Sequence, residues 1–250
     1  MFPRRSHLAL FLVLALGGCR KQEYVVPEHD HVHTVDLKLN FVFMYGAHSY
    51  ELASEYVDDF GQVYKLDRIR FLVSGLHVID DDLSVLADYP TVQLLVDAGE
   101  PSVFALGSLT AAHAHQVNFT LGLNTALNHA DPDTCGAPLN DPDMHWGMGP
   151  DQGFWFLVLE GRYDSDGSGE VDATDAAFSY RCGTDALKRA GWALLHVAIP
   201  DGGVFTVEVP VDIRRLMGGV DVQNNSVVHG EAPLNVQLMD SLEVLFRQAH

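Results

Sequence analysis

The sequence predicts an all-β protein: an antiparallel β-sandwich with a short C-terminal helix. Three features of its 250 residues lead there. Apolar and polar residues alternate with a period of two along several stretches. Those stretches are short and bounded by Gly, Pro or Asp clusters. The clearest helical segment, near the end, repeats its apolar residues at three- and four-residue steps. Many strands and few helical stretches favour two packed sheets.

The chain opens on a leader. Arg4 and Arg5 precede an apolar run from Leu8 to Leu16, and small residues follow, ending on Cys19. That is the order of an export signal, and the run is too short to remain as a membrane span. Leu16-Gly17-Gly18-Cys19 resembles the lipobox of bacterial lipoproteins, which implies cleavage before Cys19 and lipidation of that residue; an ordinary cleaved signal is the alternative. Arg20 stands where a retained inner-membrane lipoprotein carries an acidic residue, so the resemblance implies an outer-membrane location, periplasmic or surface-facing, with the lipid as the only membrane contact. The expected division is a signal peptide 1–18, a tether 19–30 and one sandwich domain 31–250.

The first strand of that domain is "HVHTVDLKLNFVF", with His31, His33, Val35, Leu37, Leu39, Phe41 and Phe43 on one face. Further strands are expected at 68–79, 91–97, 115–121, 153–161, 192–199 and 203–213, each closed by turn residues. In "PLNVQLMDSLEVLF", Val236, Met239, Leu242 and Phe246 recur at helical spacing and give the C-terminal helix.

With 34 acidic against 15 basic residues the formal charge is −19, and removal of Arg4 and Arg5 makes the mature chain more negative still. Such a field repels nucleic acid and attracts cations. Besides Cys19 the chain has Cys135 and Cys182, which in an oxidising compartment predict one disulfide, worth roughly 3–5 kcal/mol on the chain-entropy view. Two thiolates on a metal are the alternative, disfavoured because neither cysteine has a close C-x-x-C partner.

The loop "DSDGSGEVDATD" places Asp164, Asp166, Ser168, Glu170, Asp172 and Asp175 at positions one, three, five, seven, nine and twelve, with Gly169 at six. Calcium takes six to eight hard oxygens in this order, with the carbonyl of position seven and a glycine at the sharp turn. The segment resembles a single dockerin-type calcium loop ending in Asp. Asp, Ser and Gly also make ordinary hairpin tips, which is the alternative.

Thirteen histidines are many for an acidic chain. His31 and His33 share a strand face with Cα atoms about 6.6 Å apart, close enough for both rings to reach one ion. Imidazole with thioether suits copper. His113 and His115 repeat this spacing as a weaker pair, and His196, inside a strand, reads as packed or solvent-facing. His145, Trp146 and Met148 lie in a glycine-rich turn that leads into an apolar strand, with Met144 just before.

"DMHWGM" followed by "GFWFLVLEG", together with "LDRIRFLVSGLHVIDDD", "VNFTLGLNTALNH" and "FSYRCG", is similar in order and content to the MbnP-like family, periplasmic copper-binding proteins associated with methanobactin and copper handling. The likeness spans residues 33 to 246. It implies a β-sandwich whose copper site uses histidines beside a tryptophan. In some members a di-haem peroxidase of the MauG type oxidises that tryptophan to kynurenine. Trp146 is the matching position, though a plain packing role is its alternative. His229 in "VVHGE" resembles a His-Gly step near the family's C-terminus and is a further ligand candidate. The departures are His145 in place of the common tyrosine, Met148 at an aromatic position, a lengthened turn at 150–152 and Arg181 where a histidine is expected. They weigh against kynurenine formation and add soft ligands.

The expected function is an exported lipoprotein that captures or delivers copper, without turnover, through His31, His33, His145, His229 and Met148. A calcium-stabilised surface sandwich acting as a binding or adhesion module is the alternative. No G-x-S-x-G elbow and no H-E-x-x-H helix is present, so no enzyme activity is expected.

Overall fold

The computed structural model describes residues 34–110 and 112–247. The leader, Cys19, the tether, His31 and His33 lie outside the described residues. The strands are β1 (Thr34–Tyr45), β2 (His48–Ser49), β3 (Tyr56–Val57), β4 (Val63–Ile79), β5 (Val85–Tyr89), β6 (Leu94–Asp97), β7 (Val103–Thr110) and β8 (His113–Leu121). After them come a helical turn α1 (Thr125–Asn128), strands β9 (Leu157–Tyr163), β10 (Ala176–Cys182), β11 (Arg189–Ala198) and β12 (Val204–Asp212), a second turn α2 (Ile213–Leu216), the short β13 (Val227–His229), and the helix α3 (Pro233–Arg247).

The strands form the β-sandwich that the alternation predicts. The smaller sheet runs β12-β1-β2 with β7 also on β1; the larger runs β11-β8-β4-β9-β10-β13, with β3, β5 and β6 added along β4. Most pairings are antiparallel, but β1 with β12 and β10 with β13 are parallel, which adds a mixed character to the expected sheet.

In β1 the expected face is buried: Val35, Leu37, Leu39 and Phe41 lie in the core while Thr34 and Asp36 face solvent. Phe41 meets the opposite sheet edge-on at Phe71 of β4, ring centroids 5.7 Å apart, and at Phe119 of β8 at 6.5 Å. From α3, Phe246 closes the cluster at 6.3 Å from Phe41. Each such ring contributes roughly 1.5–3 kcal/mol by leaving water. Helix α3 starts on Pro233, whose fixed φ suits a first helical position, and buries Leu238, Met239, Leu242 and Leu245.

The expected disulfide is not formed: Cys135 and Cys182 are free thiols. The Cys182 side chain is buried and directed at the carbonyl of Asn235, Sγ to oxygen 3.8 Å, whereas Cys135 is half-exposed after a single 3-10 turn. Burial pushes the Cys182 thiol strongly up, so its reactive thiolate is suppressed.

Candidate metal centre at the indole corner

The Met-His-Trp turn is built by two hydrogen-bonded crossings. A 3-10 turn at Pro142–Met144, capped by the Asp141 carboxylate on the Asp143 N–H, delivers Met144 into the core. His145 then pairs with Phe154 as an isolated antiparallel bridge, Trp146 N–H donates to the Gly153 carbonyl at 3.0 Å, and Trp155 N–H to the Met144 carbonyl at 2.8 Å. Residues 147–152 therefore form a hairpin tip, braced by Gln152 Oε1 accepting from Gly149 N–H.

Because the backbone is extended at His145, neighbouring side chains take opposite sides. The His145 ring packs edge-on against Phe154 at 4.9 Å, whereas Trp146 stacks on Trp155 at 4.3 Å. Trp155 in turn lies 5.7 Å from the His229 ring, with the Arg181 guanidinium 6.0 Å from its centroid. Met148 is 61% exposed at the hairpin tip. His145 and Met148, expected beside His229, do not line the cavity that His229 lines: strand alternation turns the His145 ring to Phe154, and the glycine-rich tip holds Met148 in solvent.

His229 reaches the corner on β13, where it pairs with Arg181 of β10. Its Nε2 is 3.2 Å from Ser179 Oγ, and Arg181 is tied by its Nε to Glu160 at 2.8 Å. Arg181 thus packs an ion pair against the Trp155 indole. Gly230 follows with φ of +73°, and a Cβ there would come within 3.2 Å of the Trp146 ring, so only glycine lets the indole lie over the His-Gly step. Burial, then the Arg181 charge, push the His229 imidazole below its ordinary value, with Glu160 opposing; His145 is lowered by burial against Asp131 and Asp133. Both favour the neutral ring that binds metals.

A cavity of about 530 Å³ opens here, lined among others by His129, Trp146, Asp185 and His229. His129 closes α1, whose first turn is capped by Asn124, and its Nε2 lies 3.5 Å from Asp185. Burial raises the Asp185 carboxyl, but Asn128, Thr125 and His129 outweigh it and hold it below the usual range. The buried Nε1 atoms of Trp146 and Trp155 have no hydrogen-bond partner among the described residues. Sequence reasoning passes over His129 and Asp185; the only signal is that "NTALNH" ends on a histidine inside a family-like segment.

The acidic loop is the tip of the β9–β10 hairpin, with strands rather than helices on both sides. Asp164, Asp166 and Asp175 bring carboxylate oxygens within 4.8 Å of one another. Asp164 folds the loop by accepting N–H bonds from Gly167, Ser168 and Gly169 at 2.8–3.0 Å, the last with φ of +88°. Asp172 is turned away to Thr174 at 2.7 Å, and the Glu170 carbonyl accepts from Ser168 Oγ at 3.1 Å.

Among known proteins, no curated sequence matches. In the solved structures, MbnP from Methylosinus trichosporium is similar with a TM-score of 0.53 at 15% identity, over 80% of this chain and 82% of that one, a likeness of fold. The family pattern described as MbnP matches residues 34–233. That match runs from the first strand to the head of α3 and takes in both indoles, His129 and His229, and the chain therefore belongs to the MbnP family.

Proposed function

We propose that this protein binds copper at the indole corner, to capture or hand on the ion rather than to turn over a substrate. The reading rests on one observation above others: two imidazoles, His129 and His229, line the same cavity as Trp146. Imidazole nitrogens suit copper, and a His229 ring held neutral by burial and Arg181 is ready to ligate it without first losing a proton. The unpartnered indole N–H groups fit a site that receives a further ligand. His31 and His33 are the remaining donors within this reading. The leader and Cys19 support an exported, lipid-anchored protein at the outer membrane, and Trp146 is the residue on which a MauG-type di-haem peroxidase would act.

The test is copper titration of the mature chain beside His229→Ala, His129→Ala and a His31→Ala/His33→Ala double variant. His229→Ala is expected to weaken binding by at least ~10-fold, in line with loss of a metal ligand or its support. Equal affinity in wild type and His229→Ala overturns the assignment.

A second reading concerns calcium at residues 164–175, favoured by the convergence of Asp164, Asp166 and Asp175. There the ion would stiffen a hairpin tip, the structural half of a surface binding module. Its check is the melting temperature with calcium and with a chelator; no difference removes it.

A further inference from the structure

At the opposite end of β8 from the indole corner, three histidines surround one carboxylate. Strand β8 opens on His113 and His115, which share a face, and after Leu121 the chain turns into α1 and His129. Eight strand steps of ~3.3 Å separate the two ends by roughly 26 Å.

The gathering of these side chains is a backbone achievement. Asp80 Oδ1 accepts the N–H groups of Asp82 and Ser84 at 2.9 Å and so holds the turn after β4, leaving Asp81 free to face β8. Asp81 then bridges His113 Nδ1 at 2.9 Å through Oδ2 and His115 Nδ1 at 3.1 Å through Oδ1. On the neighbouring strand the β11–β8 register slips between Leu194 and Val197, and His196 adopts φ of +49°, a left-handed conformation strained for a side-chain-bearing residue. The slip aims the His196 ring at the pair: its Nδ1 is 3.2 Å from His115 Nδ1 and 3.6 Å from Asp81 Oδ1.

We infer that Asp81, His115 and His196 form a second metal site, for a divalent ion of the zinc class. Two ring nitrogens facing each other at 3.2 Å repel through their lone pairs unless a proton or a cation lies between them. Zinc–nitrogen bonds of about 2.0–2.1 Å in tetrahedral geometry put ligand atoms about 3.3 Å apart. The triangle of His115 Nδ1, His196 Nδ1 and Asp81 Oδ1 has edges of 3.2, 3.1 and 3.6 Å, which is that spacing without rearrangement. His113, on the other carboxylate oxygen, fixes the orientation of Asp81 as carboxylates and carbonyls commonly do for metal-site histidines, here with the roles exchanged. The side chains are 28% to 62% exposed, so an ion reaches them directly, beside a cavity of about 380 Å³ lined by Asp80, Asp81, Asp82 and His113. Two imidazoles and a carboxylate leave a fourth position for water or a partner's ligand.

The test is zinc titration of the metal-free mature chain by calorimetry, with wild type, His196→Gly, His115→Ala and His229→Ala. Glycine accepts the left-handed backbone at 196, so that variant keeps the fold. Wild type is expected to bind one more zinc equivalent than His196→Gly and than His115→Ala, while His229→Ala keeps it. Histidine-resolved nitrogen NMR should show zinc shifting Nδ1 of His115 and His196. An equal zinc count and affinity in His196→Gly, or unmoved Nδ1 signals in wild type, overturns the site whatever happens with copper at the indole corner.

Discussion

The side-chain amide of Asn235, fully buried near the start of α3, donates to the Gly230 carbonyl at 2.7 Å and also faces the carbonyls of Arg181 and Val228 at 3.0 and 3.3 Å. Two N–H groups thus serve three carbonyls on β10, β13 and the turn beyond. One helix residue fixes the strand that presents His229. Asn235→Ala removes these donors and is expected to cost about 1–3 kcal/mol in urea unfolding. If the His-Gly step depends on this clamp, copper affinity falls in the same variant; unchanged stability would show the amide to be dispensable.

Gly230→Ala adds a Cβ within 3.2 Å of the Trp146 ring at a residue whose φ is +73°. A loss of about 1–3 kcal/mol is expected from the backbone alone. The indole must also move, so tryptophan fluorescence should shift relative to wild type. An unaltered spectrum means that Trp146 does not lie over this step.

Protonation of His229 offers a test with a definite sign. Its folded-state value lies below the ordinary 6.5, chiefly through burial and then Arg181. The unfolded chain therefore takes up the proton first: the stability tied to this group is complete above pH 6.5 and is lost as pH falls through the folded value. Arg181→Met removes one lowering influence while Glu160 still raises, so the His229 ring signal in an NMR titration should move to higher pH. No movement, or movement downward, excludes Arg181 as a cause.

In the acidic tip, the Asp164 carboxyl is held below its ordinary 3.8 first by the Gly169 N–H, with burial opposing and Gly167 and Ser168 assisting. This contribution is present above pH 3.8 and disappears as pH drops through the folded value. Amide exchange of Gly167, Ser168 and Gly169, measured against the intrinsic rate at each pH, should be protected at pH 5 and lose that protection as pH drops through the folded value. Asp164→Ala is expected to open the tip to protease cleavage within 165–170 at neutral pH; equal resistance would show that the caps do not order it.

Free thiols have their own signature. In folded protein Cys135 should react with a thiol reagent, while Cys182, buried and raised in pKa, should react only after denaturation. Absence of reaction at both positions in denaturant without reductant would mean that they are bridged.

The outer features of this fold are legible in the sequence because they rest on periodicity. The alternating face of β1 and the i, i+3, i+4 face of α3 follow directly from which residues are apolar. Strands β7 and β10 are less legible: "VFALGSLT" buries only Leu106 and Leu109 fully, and "AAFSYRC" emerges from a loop whose acidic pattern dominates. At the corner, Trp146 and His229 can be found through family-like segments, but His129 meets them only through tertiary packing. His196 is solvent-exposed, one of the two placements its strand position suggests, but its approach to His115 is not legible in the sequence. Strand alternation presumes an unbroken register, and no Gly or Pro marks the slip between Leu194 and Val197.

That slip has an effect beyond the placing of His196. Among the described residues β11 is the outermost strand of its sheet, where bare N–H and C=O groups could template the addition of a foreign strand. A chain that swings into the left-handed region at His196 presents no flat ladder for a neighbour to extend. The same distortion that gathers the imidazoles also guards this flank against sheet-to-sheet aggregation.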